Sequence, residues 1–254
     1  MYDAIILAGG ENSKHLSKFS PQPYEAMIEI AGRPMVNFVV EALVASSRVD
    51  QILVVGPVKE LTGCQFTERI LLVEGGATIL DTIQIGIRAL GHNRKVLVVT
   101  ADIPLLTPEA VNDFLDQCAA VEADLYYPIV NQEVNNHHYP GNKRTYVRLK
   151  EGTYTGGNIF LVNPKIVPQC MTVAERIIEH RKNPLQLCCI LGWSFVLRFL
   201  LGNLSLKKVE KRVTDILGIN GAVISSRYPE IGIDVDKPSD LELVRTAFLC
   251  RTCR

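Results

Sequence analysis

Two aspartates stand where the sequence predicts a strand end followed by a helix start. Asp102 follows the apolar run 95–100, and Asp236 follows the apolar segment 231–235. Open α/β sheets bind ligands outside the carboxyl ends of their strands. Carboxylate oxygens are the ligands that Mg²⁺ prefers, and the ion in turn can hold a triphosphate. We therefore expect Asp102 and Asp236 to share one Mg²⁺ ion.

Both aspartates also have a purely structural interpretation. Asp102 could stabilise only the turn before the helix that Thr107 and Pro108 are predicted to begin. Asp236 could be only the cap of the last helix, whose first predicted residue is Pro238. Asp234 stands two residues before Asp236, and we favour Asp236 as the partner of Asp102 because it lies nearer the helix start.

Two glycine-containing turns could bind a nucleotide. The first strand ends in Leu7, Ala8, Gly9 and Gly10, where backbone N–H groups can face a phosphate or a base edge. The segment has neither the third glycine of a dinucleotide-binding loop nor the Gly-Lys-Ser/Thr of a Walker A loop. Gly75 and Gly76 precede a predicted helix with Asp81 and Thr82 in its first turn. These two side chains could contact a base or ribose, or Asp81 could only cap its own helix.

Cations and a second polar turn complete the candidate residues. Lys14 and Lys18 follow the first glycine turn and could neutralise a polyphosphate, although a loop lysine is more often simply solvated. The turn of Thr155, Gly156, Gly157 and Asn158, together with Arg148, could bind an acceptor molecule. A plain hairpin turn explains the same glycines equally well.

Composition bounds the function. The chain has 254 residues, 47% of them hydrophobic, and 27 basic side chains balance 27 acidic ones. With no net charge, we expect no nucleic-acid ligand. We expect no signal peptide and no membrane span, since the first apolar run is a short strand. Seven scattered cysteines indicate reduced thiols and a cytoplasmic location, and the pair Cys250 and Cys253 is interpreted as an inert tail.

Apolar strand patterns alternate with amphipathic helix patterns through most of the chain. Strands are predicted at 2–8, 51–55, 69–73, 95–100 and 123–129, and helices at 34–46, 79–90 and from 108. This rhythm predicts an α/β fold, Rossmann-like, with a mostly parallel mixed sheet flanked by helices. Residues 131–144 are predicted to form a long exposed loop or hairpin. Further strands are expected at 145–149, 158–162, 222–225 and 231–235, and a last helix at 238–248.

A helical pattern interrupts this rhythm near the C-terminus. We predict a single domain over residues 1–254 in which 165–220 form a helical insertion, with Ser205 as an N-cap and Gly218 as a stop. The strongly apolar segment 185–201 is too short to span a membrane. We interpret it as a buried helix or as a surface for a second copy or another partner; a membrane-surface patch is the less favoured alternative.

In combination, these motifs resemble the MobA-like nucleotidyltransferase superfamily, which includes molybdopterin guanylyl- and cytidylyltransferases, sugar-1-phosphate nucleotidyltransferases and methylerythritol-phosphate cytidylyltransferase. The resemblance rests on the order and spacing of five segments: 7–10, 31–35, 75–82, 100–105 and 235–241. It implies the nucleotide-diphospho-sugar transferase type of fold. It also implies transfer of a nucleoside monophosphate from a triphosphate to a phosphorylated, molybdopterin-like or sugar-phosphate-like acceptor, with release of pyrophosphate.

The resemblance assigns Mg²⁺ to Asp102 and Asp236, and the leaving phosphates to Lys14 and Lys18. One departure concerns the family's phosphate-contacting lysine, because Glu25 occupies that position here. Either another cation replaces that lysine, or Glu25 binds the acceptor or a metal, or catalysis is weakened. We expect Glu25→Lys to tighten triphosphate binding. The alternatives are a glycosyltransferase that uses a nucleotide-sugar, and a nucleotide-binding protein without catalytic activity.

Overall fold

A computed structural model describes residues 1–66, 70–180 and 192–252. The strands in these ranges are β1 (Tyr2–Leu7), β2 (Glu29–Ile30), β3 (Arg33–Pro34), β4 (Val49–Gly56), β5 (Ile70–Glu74), β6 (Val96–Thr100), β7 (Leu125–Asn131), β8 (Val147–Leu149), β9 (Gly152–Gly156), β10 (Ile159–Val162) and β11 (Gly221–Ser226). The helices are α1 (Met35–Val44), α2 (Val58–Leu61), α3 (Ile79–Leu90), α4 (Pro108–Ala119), α5 (Gln132–His138), α6 (Val167–His180), α7 (Trp193–Leu200), α8 (Leu206–Leu217) and α9 (Pro238–Thr252).

The main sheet is mixed, as predicted. Its strand order is β5-β4-β1-β6-β10-β7-β9-β8, with β11 on the other edge of β7. Strands β5, β4, β1 and β6 are mutually parallel, β10 is antiparallel to both β6 and β7, and β11 runs parallel to β7. Leu7 at the end of β1 pairs with Thr100 at the end of β6, so the two glycine- and aspartate-bearing turns leave the sheet side by side.

The two central strands are buried on both faces, because helices cover both sides of the sheet. In β1, Ile5 and Leu7 pack into one apolar cluster with α3, whereas Ala4 and Ile6 pack into the other with α1 and α4. This alternation follows from the two-residue period of a strand. Near-continuous apolar strands are typical of parallel sheets, and the sequence pattern therefore predicted this centre correctly.

The structure also confirms the predicted start of α4 and the predicted start and end of α8. The Thr107 hydroxyl accepts a hydrogen bond of 3.2 Å from the Ala110 N–H, and Pro108 is the first residue of α4. Ser205 precedes α8, and Gly218 ends that helix with a φ of 67°, a conformation that glycine adopts without strain.

Two predictions were wrong. Residues 131–144 are not all loop: α5 forms because the Asn131 side chain accepts a 2.7 Å hydrogen bond from the Glu133 N–H and caps the helix. Residues 231–235 are not a strand: a 3₁₀ helix occupies Pro229–Gly232, and the chain then reaches Asp236 without regular structure. The segment is apolar because Ile231, Ile233 and Val235 are buried in the core.

The predicted insertion contains α6, α7 and α8, and its proposed bounds of 165–220 remain a prediction. Within the apolar segment 185–201, residues 185–191 lie outside the described part of the chain, as does Cys253 of the predicted inert tail. Among the described residues, no helix combines the length and apolar character that crossing a membrane requires. The described thiols of Cys64, Cys118 and Cys170 are free.

Candidate active site

A cleft of about 440 Å³ opens at the carboxyl ends of β1 and β6. Four segments form its wall: 7–10 at the end of β1, 25–26, 76–79 with Thr82 at the start of α3, and 100–102 at the end of β6. The first, third and fourth of these segments carry residues that the sequence singled out for nucleotide or metal binding. This cleft is therefore the candidate active site.

Asp102 lies at the end of β6, where two hydrogen bonds hold it. The Thr100 hydroxyl donates to the Asp102 carboxylate, and the Val235 N–H donates to the Asp102 carbonyl oxygen at 3.0 Å. The second bond ties the segment before α9 to the end of β6. Asp236 follows Val235 directly in the sequence and is thus brought to the same edge of the sheet as Asp102.

Asp240, rather than Asp236, satisfies the backbone before the last helix. Asp240 is only 5% exposed. Its carboxylate accepts hydrogen bonds from the N–H groups of Asp236 at 3.2 Å and Lys237 at 3.0 Å. The helix start is therefore stabilised without the Asp236 side chain. This arrangement removes the main reason to interpret Asp236 as only a cap.

Glu25 joins the two aspartates. It begins a short 3₁₀ helix, its N–H donates to the Gly10 carbonyl oxygen at 2.9 Å, and its carboxylate accepts a hydrogen bond from the Ser13 N–H. One carboxylate oxygen each from Glu25, Asp102 and Asp236 lies within 4.8 Å of the other two. Three acidic oxygens at this spacing can surround one hard cation.

The proximity of these carboxylates changes their acidity. Burial, followed by the charges of Asp234, Asp236 and Glu25, raises the pKa of Asp102 to about 7, although the Thr100 hydrogen bond opposes the shift. Burial and the charge of Asp236 raise the pKa of Glu25. Burial and Asp234 raise the pKa of Asp236. Without a cation, the site therefore retains protons that ordinary aspartates lose.

Arg144 is a residue that sequence reasoning missed. Its guanidinium forms an ion pair with Asp234, and the two side chains are only 13% and 15% exposed. The positive charge of Arg144 also lowers the pKa of Asp236. Only the closely spaced Asp234 and Asp236 could have indicated such a residue in the sequence. A second carboxylate beside a metal ligand needs a positively charged partner.

The predicted nucleotide-binding residues divide into two groups. Leu7, Ala8, Gly9, Gly10, Gly76 and Thr82 line the cleft. The Thr82 hydroxyl accepts a 3.1 Å hydrogen bond from the Gly76 N–H and donates to the Thr78 carbonyl at 2.9 Å. Gly75 lies behind this turn, next to Gly56. Asp81 forms a capping box with Thr78 and is not among the residues that line the cleft.

The two predicted cations stand apart from the cleft. Lys14 and Lys18 are exposed in the turns that follow β1, and neither lines the cleft. Within the described chain, the residues that line this cleft include no lysine or arginine. The negative charge of Glu25, Asp102 and Asp236 is therefore not balanced by a basic side chain in the cleft wall.

The predicted acceptor residues are also divided. Asn158 lies beside the site: its carbonyl oxygen accepts from the Thr100 N–H at 3.1 Å, and its buried Nδ2 has no partner among the described residues. Gly156 and Gly157 are required by packing, because a Cβ atom there would meet Tyr127 at 2.1 Å and Pro128 at 2.8 Å. Thr155 is buried in β9, and Arg148 is exposed and packs beside Gly202.

Comparison with known proteins identifies the family. The model of the MobA-like NTP transferase domain matches residues 4–184, well over half of the chain. The protein belongs to this family. Asp102 and Glu25 lie inside the matched range, whereas Asp236 lies beyond it.

Solved structures confirm the fold. A hypothetical transferase from Thermus thermophilus superposes with a TM-score of 0.83 at 39% identity, covering 94% of this chain and 99% of the other. A CMP:2-keto-3-deoxy-manno-octonic acid synthetase, solved with CTP, gives a TM-score of 0.65 at 13% identity, covering 99% of this chain and all of the other. This second likeness shows the fold alone.

Curated relatives match only in part. The bifunctional protein GlmU of Exiguobacterium sibiricum is 31% identical over 125 residues, which are 47% of this chain and 26% of the relative. The 2-C-methyl-D-erythritol 4-phosphate cytidylyltransferase of Lachnospira eligens is 25% identical over 119 residues, 44% of this chain and 51% of the relative. The alignments thus span about a quarter and about half of these two relatives.

Proposed function

We propose that the protein is a Mg²⁺-dependent nucleotidyltransferase that transfers a nucleoside monophosphate from a nucleoside triphosphate to a phosphorylated small molecule. The observation that carries the proposal is the approach of Glu25, Asp102 and Asp236, whose carboxylate oxygens lie within 4.8 Å of one another in a cleft at the carboxyl edge of the sheet. Membership of the MobA-like NTP transferase family supports the same reaction.

The residues in the cleft fit a Mg²⁺ ion. Asp102 and Asp236 would hold the ion, and Glu25 is close enough to be a third ligand. Burial first, and then the charges of neighbouring carboxylates, raise the pKa of all three carboxyls, and a divalent cation would relieve the repulsion among them. When bound, Mg²⁺ supplies positive charge that neutralises phosphate oxygens and orients the triphosphate.

The reaction itself requires positioning more than covalent chemistry by the protein. An oxygen of the acceptor phosphate attacks the α-phosphorus, the bond from that phosphorus to the bridging oxygen of the β-phosphate breaks, and pyrophosphate leaves. Gly9 and Gly10 allow the backbone to approach the triphosphate, and Gly76 and Thr82, with Gly75 behind them, are assigned to the base and ribose. Lys14 and Lys18 are assigned to the departing phosphates, although neither side chain lines the cleft.

The acceptor side of the site is assigned to the turn around Asn158, with Arg148 and Thr155 to Gly157 as the wider candidate set. The unpartnered Nδ2 of Asn158 supports this assignment, because a buried amide donor costs free energy until a ligand oxygen accepts from it. The relative named for methylerythritol 4-phosphate favours a phosphorylated, sugar-phosphate-like acceptor. The cytidylyltransferase relative makes CTP the first triphosphate to test.

A second candidate is nucleotide binding without turnover. One observation favours it: in the described part of the cleft wall, Glu25 contributes negative charge and no basic side chain is present. A triphosphate in such a cleft depends on the metal ion for charge neutralisation.

Pyrophosphate release distinguishes the two candidates. The full chain would be incubated with Mg²⁺, each common triphosphate and a panel of sugar phosphates, and pyrophosphate would be measured. We expect release with one triphosphate, and loss of release in Asp102→Asn and Asp236→Asn. Asp50→Asn, an exposed aspartate on β4, is the matched control. Mg²⁺-dependent triphosphate binding with no release for any acceptor would favour the binding protein, and binding unaffected by either site variant would contradict both candidates.

A further inference from the structure

A second groove, of about 300 Å³, lies between α7 and α8 in the predicted helical insertion. Four basic residues line it, namely Arg198, Lys208, Lys211 and Arg212, against one acidic residue, Asp215. None of the residues that line the active-site cleft contributes to this groove. Its chemistry therefore has no part in the proposed transfer reaction.

The charge of this groove is unusual for the chain, whose formal net charge is zero. Arg198, Lys208 and Lys211 are exposed, and none forms an ion pair within 4 Å in the described part of the chain. Cations gathered on one face repel one another and attract anions. The groove is thus suited to a ligand that presents several negative charges.

Two exposed leucines flank the basic residues. Leu197 is 59% exposed and Leu201 is 71% exposed, which places both among the most exposed large apolar side chains described. They are four residues apart, so they lie along one side of α7 and the turn that follows it, next to Arg198. The two leucines thus border Arg198 on α7, while Lys208 and Lys211 line the same groove as Arg198 from α8. We call these five residues the α7–α8 face: Leu197, Arg198, Leu201, Lys208 and Lys211.

We propose that the α7–α8 face binds the surface of membranes that contain anionic lipids. Helices that lie on membranes combine lysine and arginine, which attract anionic headgroups, with leucines that enter the headgroup boundary. The phosphate backbone of a nucleic acid would neutralise the cations but would leave Leu197 and Leu201 in water. A lipid surface satisfies both groups at once.

The rest of the fold holds this face in place. The Lys150 N–H donates to the Leu204 carbonyl oxygen at 2.9 Å, and the Leu206 N–H donates to the Glu151 carboxylate at 3.2 Å. These bonds attach the start of α8 to the hairpin of β8 and β9. The face is therefore presented by an element fixed to the main sheet.

Vesicle co-sedimentation tests the proposal on the full chain. We expect the protein to sediment with vesicles of phosphatidylcholine mixed with phosphatidylglycerol, and not with phosphatidylcholine alone. Each lysine near an anionic surface contributes about fivefold to membrane partitioning. Lys208→Ala/Lys211→Ala should therefore lower the partition coefficient roughly 25-fold. Lys59→Ala/Lys165→Ala removes two exposed lysines elsewhere and should bind like the unaltered protein.

A second variant tests the apolar part of the face independently. Leu197→Ser/Leu201→Ser should weaken binding to the anionic vesicles while thermal unfolding stays unchanged, because both side chains are exposed. The proposal is overturned if the protein sediments with neither kind of vesicle. It is also overturned if the double lysine variant or the double leucine variant binds the anionic vesicles as strongly as the unaltered protein does. It is also overturned if a labelled RNA oligonucleotide binds through the same lysines while the vesicles do not.

Discussion

The backbone N–H of Val235 donates a 3.0 Å hydrogen bond to the carbonyl oxygen of Asp102. This bond joins the end of a central strand to the segment that precedes the last helix. It brings the neighbouring side chains, Asp102 and Asp236, to within 4.8 Å of each other at their carboxylate oxygens. The candidate metal site is therefore assembled by a backbone contact between two distant parts of the chain.

The first prediction concerns Asp102→Asn. The change removes one carboxylate that is close to two others, so we expect it to relieve repulsion and leave the metal-free protein as stable as before or more so. Stabilisation by Mg²⁺ with a triphosphate should disappear, because a ligand raises the free energy of unfolding only if it binds the folded protein. Thermal unfolding with EDTA, and then with Mg²⁺ and CTP, measures both effects. Asp50→Asn should behave as the unaltered protein, and a stabilisation retained by Asp102→Asn would remove Asp102 from the site.

The second prediction concerns pH. The pKa of Asp102 is about 7 in the folded chain and 3.8 for an ordinary aspartate, so between these values the folded state binds more protons than the unfolded state. Without metal, the contribution of Asp102 to the free energy of unfolding should therefore fall as pH rises, and level off above about pH 7. Mg²⁺ affinity should rise over the same range, because the metal competes with the proton.

Denaturant unfolding with EDTA between about pH 5 and about pH 8 measures this dependence. Asp102→Asn provides the control, since its curve should lack the decline that Asp102 causes. Identical pH curves for the variant and the unaltered protein would show that Asp102 does not retain its proton.

The third prediction concerns Glu25→Lys. A lysine at this position would place a positive charge beside Asp102 and Asp236, where it competes with a metal ion and attracts phosphate. We expect Mg²⁺ binding in the absence of nucleotide to weaken and triphosphate binding in EDTA to tighten. Isothermal titration of each ligand separates the two effects. Glu25→Gln is the matched control, because it removes the negative charge without adding a cation; weaker triphosphate binding in Glu25→Lys would assign Glu25 a direct role with the nucleotide.

The fourth prediction concerns Arg144→Gln. This substitution leaves Asp234 without its largely buried ion-pair partner, the Arg144 guanidinium. It also removes a positive charge that lowers the pKa of Asp236. We expect the free energy of unfolding to fall by up to about 3 kcal/mol. Mg²⁺ affinity at about pH 8 should rise, because the bound cation no longer faces the positive charge of Arg144. Denaturant unfolding and Mg²⁺ titration measure these changes.

A paired substitution checks the mechanism of that loss. Asp234→Asn in the Arg144→Gln background should recover most of the stability, because no unpaired charge then remains. Arg48→Gln, which breaks the exposed ion pair with Asp116, should change stability by less than about 1 kcal/mol. An equal loss in Arg48→Gln and Arg144→Gln would contradict the special position of Arg144.

The sequence predicted the parts of this structure that depend on local pattern. The apolar run ending at Thr100 became β6, and Thr107 and Pro108 began α4, because strand burial and helix capping are decided within a few residues. The sequence also predicted the meeting of Asp102 and Asp236, but on the premise that each follows a strand. Only Asp102 does, and the hydrogen bond from the Val235 N–H to the Asp102 carbonyl oxygen brings Asp236 to the site instead.

The features that were missed depend on contacts between distant residues. The apolar segment 231–235 has the composition of a strand, yet tertiary packing buries it without a ladder of hydrogen bonds. The pairing of Arg144 with Asp234 joins a loop to the chain before α9 and leaves no local signal. The Asp240 carboxylate accepts hydrogen bonds from the N–H groups of Asp236 and Lys237, and the sequence pattern did not predict these contacts either.

The division of the carboxylates between separate chain segments has a thermodynamic consequence. Asp102 belongs to the central sheet, whereas Asp236 directly precedes the C-terminal helix α9. A cation bound by both must therefore strengthen the attachment of that helix, and a firmly attached helix must in turn raise affinity for the cation. Hydrogen exchange of the backbone amides in α9 should accordingly slow when Mg²⁺ is added. The exchange rate of this helix would then measure cation binding in the cleft.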